Sequence, residues 1–244
     1  MKRALWLLVF LVGCEGKREA PKPLAVSLPS ASAAPTLPLG LFADIYRRRP
    51  VPPGTQTSVD RVETELAKNP TDTKRLKAVG LAYYAAGGYE AAIKKLTGLD
   101  TDSEAQLYLG FAHMGLNNYA EALTALKKAK GAVALLEQGN LYFQVPKQDD
   151  EAEKYFKAAL KRDTGDTHGE AALALGLLQA SQGKSEPAQK LLHDASEVLP
   201  AGKARATAFA ALGRLESDPA KARAWYEKTR KDDPENPWLK KLSK

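Results

Sequence analysis

The chain of 244 residues carries one cysteine, Cys14, and three histidines, His113, His168 and His193. A single cysteine closes no internal disulfide, so disulfide usage points to no redox compartment. No two histidines stand at a ligand spacing such as HExxH, and no cysteine is placed to complete a metal set. There is no Gly-rich phosphate loop and no strand–serine–helix elbow. Runs of Val, Ile and Thr are scarce, whereas Ala, Leu, Lys and Glu abound, so helix propensity governs. The many Asp and Glu fall at helix-surface spacing, which reads as solvated charge. These absences leave no sign of enzyme chemistry, and no cofactor or small-molecule substrate is expected.

Formal net charge is +7. The bases are spread over helices and interleaved with acids. No basic stripe with interleaved aromatics appears, which argues against nucleic acid.

What is present is ordered along the chain. MKRALWLLVFLVGC begins with Lys2-Arg3 and continues with an apolar run from Ala4 to Val12. That run is too short to cross a bilayer as a helix, which needs about 20 residues. It fits the apolar region of a signal peptide, residues 1–13. Loss of Lys2 and Arg3 with that segment lowers the charge to +5. Leu11-Val12-Gly13-Cys14 resembles the lipobox of bacterial lipoproteins. The resemblance implies cleavage before Cys14, with lipid on its thiol and amine. Three acyl chains anchor a protein stably where one holds only marginally. Glu15 follows, and the sorting rule of that family, which retains Asp there in the inner membrane, then implies a lipid anchor in the bacterial outer membrane, facing the periplasm.

Residues 14–57 form the acylated cysteine and a tether rich in Pro, Ala and Ser, too poor in apolar surface to fold. Its first 26 or so residues span roughly 28 Å as coil and up to about 80 Å extended. Within it, Leu41, Phe42, Ile45 and Tyr46 share one face of a two-turn helix over 41–49, followed by Arg47-Arg48-Arg49. Such an element could pack on the first repeat, dock on another protein, touch the membrane surface, or fill the groove of the array itself.

Residues 58–244 repeat. TKRLKAVGLAYYAAGGYEAAIKKL and SEAQLYLGFAHMGLNNYAEALTAL align with Gly80 on Gly110, Tyr89 on Tyr119, Ala92 on Ala122 and Leu96 on Leu126. This pattern resembles the tetratricopeptide (TPR) repeat, a helix–turn–helix unit. The resemblance implies an all-α, TPR-like helical-hairpin solenoid of about five hairpins with flanking helices. Val59, Val62 and Leu66 mark a lone helix before the first hairpin. Hairpins start at Thr73, Ser103, and near Ala132, Gly169 and Ala206. Gly80, Gly110, Gly139, Gly176 and Gly213 fall at the close helix crossing, and His113 takes an aromatic position. His168 is expected in an inter-repeat loop, and Glu235–Lys244 as a polar capping helix, as solenoid ends require.

In this family the first helix of each hairpin lines a concave face. Carried over by position, that face holds Lys74, Lys77, Leu81 and Tyr84, then Leu107, Phe111 and Met114, then Leu136, Asn140 and Phe143, then Leu173 and Leu177. Its middle is apolar and aromatic, suited to an amphipathic or extended apolar segment. The expected partners are envelope proteins, held through such a segment, with the membrane reached by the N-terminal lipid. The layout is similar to that of pilotins, which assemble an outer-membrane secretin as in type IV pili. It is also similar to activators of peptidoglycan synthases, to the repeat lipoprotein of the β-barrel insertion machine, and to structural lipoproteins that bind the cell wall.

Overall fold

The computed structural model describes residues 58–145 and 147–240. The expectations for 1–57, including Cys14 and the helix at 41–49, lie outside the described residues.

Twelve helices and no strand occur among the described residues. A lone helix α1 (Val59–Ala67) precedes five hairpins: α2 (Thr73–Ala85) with α3 (Tyr89–Leu96), α4 (Ser103–Gly115) with α5 (Tyr119–Lys128), α6 (Ala132–Phe143) with α7 (Asp149–Leu160), α8 (Asp166–Ser181) with α9 (Ser185–Val198), and α10 (Lys203–Leu215) with α11 (Pro219–Asp232). A short α12 (Pro237–Lys240) closes the array. No helix among the described residues is long and apolar enough to cross a membrane.

Helices α2, α4 and α11 begin where a side chain satisfies orphan backbone donors. Asp72 accepts from the Lys74 and Arg75 amides, Asp102 from Glu104 and Ala105, and Asp218 from Ala220 and Lys221, with Pro219 at the first helical position. The turns of hairpins 1, 2 and 4 close on a left-handed residue, Gly87, Asn117 and Gly183. The next amide then reaches back five residues, Gly88 to Tyr83, Asn118 to His113 and Lys184 to Gln179.

Each hairpin crosses at its small residue. A Cβ on Gly80 would lie 2.5 Å from Leu96, on Gly110 2.7 Å from Leu126, on Gly139 2.5 Å from Phe156, on Gly176 2.9 Å from Leu192 and on Gly213 2.8 Å from Tyr226. Ala92, Ala122, Ala152, Ala188 and Ala222 sit in the same crossings, fully enclosed or nearly so. Small residues let the backbones approach, and the large ones fill the space so opened.

The interior divides. One apolar cluster runs from Leu81 to Leu141 and a larger one from Leu136 to Trp238. The division falls within α6, which gives Leu141 to the first cluster and Leu136 and Phe143 to the second. There α2 packs against α4, and α8 against α6 and α10, but α4 and α6 make no comparable backbone approach. Helix α8 is the centre of the larger cluster: every residue from Ala171 to Ala180 is buried, against α6, α7, α9 and α10.

Two expectations need correction. His168 lies in the first turn of α8, because that helix starts at Asp166. The closing element, whose residues 241–244 lie outside the described residues, is anchored by apolar side chains: Trp238 and Leu239 are buried, with Arg214 over the Trp238 ring.

Candidate functional site

Positions 2, 5, 9 and 12 of each first helix share one face, being three or four residues apart. In the first two hairpins this face is aromatic. Tyr84 meets Tyr108 edge-on at 5.2 Å between ring centroids, and Phe111 lies 6.2 Å from Tyr84 and 5.6 Å from Tyr108. Such pairs favour tilted and edge-to-face geometry, which these rings adopt. Phe143 continues toward Phe156 in hairpin 3, at 6.3 Å.

The twelve expected groove residues are placed as follows. Leu81, Tyr84, Phe111, Leu136, Asn140, Phe143, Leu173 and Leu177 are buried. Leu107, Met114 and Lys77 are half-buried, and Lys74 is exposed. Leu81, Tyr84 and Phe111 come together in the first cluster, with Leu107 and Met114 against it; Leu136, Phe143, Leu173 and Leu177 belong to the second. Lys77 reaches across to the next hairpin, 2.9 Å from Asp102 and 3.0 Å from Glu104. The Asp102 hydrogen bond is the main cause of its raised pKa, which burial opposes.

Two residues of this face were missed by the positional transfer: Tyr108 and Glu137, both at position 6. Position 6 lies four residues after position 2 and three before position 9, so helical periodicity places it on the same face. Glu137 is fully enclosed and accepts from Asn140 Nδ2 at 3.0 Å. A buried carboxylate is stable only with hydrogen bonds and a cation near it.

Two clefts lie elsewhere. One, of about 350 Å³, is lined by Gln106, His113, Glu121, Thr124 and Lys128 among others. Burial holds the His113 pKa below its ordinary value, against the pull of Glu121. The other, of about 510 Å³, is lined by Glu186, Gln189, Lys190, His193, Asp194, Glu197 and Glu216. Among the described residues no three His, Cys, Asp or Glu side chains converge as a metal site.

No protein-family model and no curated protein matches the chain. Solved structures do. Two crystal structures of MamA match with TM-scores of 0.54 and 0.55 at 19% identity, covering 64% and 66% of this chain and 95% and 92% of theirs. A tetratricopeptide repeat protein from Parabacteroides merdae matches with a TM-score of 0.50 at 18% identity, covering 75% of this chain and 74% of that one. At such identities the likeness is one of fold. The hairpin crossings and these neighbours together identify the described residues as a tetratricopeptide-type, all-α solenoid.

Proposed function

We propose that the chain is a lipid-anchored scaffold of the bacterial envelope whose repeat array holds another envelope protein through its first-helix face. The observation that carries this reading is the apolar surface of that face, where Leu107 and Met114 stand half-buried over the packed rings of Tyr84, Tyr108 and Phe111. Flexible apolar side chains such as Met adapt to an apolar segment laid across them. The sequence Leu11-Val12-Gly13-Cys14 supplies the anchor, and the Pro-rich tether the reach. The role is that of an assembly factor, in the manner of pilotins that deliver an outer-membrane complex such as a secretin, with the array in the periplasm. A cell-wall-binding role would need a cationic face, and the ammonium of Lys77 is already taken up by Asp102 and Glu104.

The anchor is tested by metabolic labelling with an alkyne fatty acid. Cys14→Ser is expected to abolish labelling and move the protein from the membrane to the soluble fraction. Labelling that persists in the variant overturns the lipoprotein reading.

A further inference from the structure

The cleft of about 350 Å³ beside hairpin 2 is lined from α4 by Gln106, Leu109 and His113. These follow one another by three and four residues, so they share one side of that helix, a different side from Leu107, Phe111 and Met114. Gln106 stands four residues before the crossing glycine Gly110, and His113 three after it. The same places hold Leu76 and Tyr83 around Gly80, and Leu135 and Tyr142 around Gly139. Leucine and tyrosine thus meet the packing needs of these places, and Tyr83 donates its hydroxyl hydrogen to Glu63 at 3.0 Å. In hairpin 2 the pair is polar and a cleft opens beside it. Gln106 is 1% exposed, yet among the described residues its Oε1 accepts no hydrogen bond, and His113 Nδ1 has no partner. A buried polar atom left unpaired is costly, so packing gives no reason for these two residues.

The donors around the cleft are committed within the protein. Gln106 Nε2 donates to the Leu99 carbonyl at 3.2 Å, and the Thr97 and Thr124 hydroxyls donate to carbonyls one turn back, at 2.7 and 2.9 Å. The Lys128 ammonium meets Asp100 at 2.8 Å. What remains is a set of acceptors. They are Gln106 Oε1, the neutral imidazole of His113, and the exposed Glu121 carboxylate, which forms no ion pair among the described residues. The group that matches has several donors and no acceptor, which describes a primary ammonium. Leu109 and Ala125, both buried, give its stem an apolar wall. We propose that this cleft is a binding site for a primary ammonium on an alkyl stem, held by Gln106 Oε1 and the Glu121 carboxylate. Pockets for small molecules begin at about 300 Å³, so the cleft suits a lysine side chain of another protein or a free alkylamine. The site is separate from the face assigned to the envelope partner, and its test leaves that reading untouched.

The test follows the amide signals of the purified full-length chain by NMR as butylammonium chloride is added at constant ionic strength. Saturable shifts are expected at the Gln106 side-chain amide and at the Glu121 and Thr124 backbone amides, with none at Leu76 and Leu135. Butanol, which keeps the stem without the charge, should leave these signals in place. Gln106→Leu and Glu121→Gln should each weaken binding by about tenfold or more. Glu121 is exposed, so Glu121→Gln keeps the fold and decides even where Gln106→Leu does not fold. No saturable shift at the cleft, equal shifts with butanol, or unchanged binding by Glu121→Gln overturns the proposal. A second probe, lysine blocked as its acetyl methylamide, reads the source of the ammonium. Binding as tight as that of butylammonium assigns a lysine side chain of another protein. Exclusion of the blocked lysine, with butylammonium still bound, assigns a free alkylamine.

Discussion

Gly139 faces Phe156 across the third hairpin, where an added Cβ would lie 2.5 Å from the ring. Two effects of Gly139→Ala oppose each other. Helix propensity favours Ala by about 1 kcal/mol. Overpacking of a filled interior costs about 1–3 kcal/mol, and Phe156, fully buried, has nowhere to move. With the ring held, packing wins, so a net loss of up to about 2 kcal/mol is expected, seen as a lower thermal midpoint. His168 offers a second test. Its Nε2 lies 2.8 Å from Asp194, and its Nδ1 3.0 Å from the Asp163 carbonyl and 3.3 Å from that of Leu160. Burial pulls the imidazole pKa down, but Asp194 and the two carbonyls outweigh it and hold the pKa above its ordinary value. With the folded pKa above the unfolded one, the contribution is complete below about pH 6.5 and is lost as pH rises through the raised value. Asp194→Asn should therefore lower the midpoint at about pH 5.5 and converge with the parent by about pH 8.5; a gap that stays constant with pH contradicts this. The glycine crossings were legible in the sequence because they recur at matching positions of every hairpin. The place of His168 was not, because its partner Asp194 lies 26 residues away and local spacing carries no trace of it.

Helices differ in how deeply they sit, and stability follows. α8 is enclosed on all sides from Ala171 to Ala180. α1 buries only Leu66, and is held by Glu63, whose carboxylate takes hydrogen bonds from Lys95 and Tyr83. Local opening costs least where few apolar contacts are lost, and solenoids lose contacts from their ends. Amide exchange should thus be slowest in α8 and fastest in α1 and α12; fast exchange in α8 contradicts the packing. The hairpins themselves could be read from the sequence, since each is a local unit with its own turn residue and crossing glycine. The all-round burial of α8 could not. Its run of Ala, Leu and Gly has no polar side, and only the flanking helices show that every side is covered. The closing turn misled for the opposite reason: Glu235–Lys244 is polar in composition, yet two residues, Trp238 and Leu239, fix it.

At the scale of the whole molecule, two parts of the chain do different work. In the proposed function the N-terminal region is the anchor and the reach, and the solenoid bears the face. The transfer of family positions picked residues on the first helices, and it carried no information on how far each is enclosed. Leu136 and Leu173, both fully buried, belong to the interior that joins neighbouring hairpins, and burial of that kind depends on contacts between repeats. Leu107 and Met114, half-buried on the same face, are the positions from which a partner can be touched without breaking the core. The most direct test is photo-crosslinking in cells from Leu107 and Met114, with exposed Lys161, the residue that follows α7, as the control. One discrete envelope protein captured from both groove positions and not from Lys161 is the expected result. The same set of products from all three positions, or none from Leu107 and Met114, contradicts the assignment of this face to partner binding.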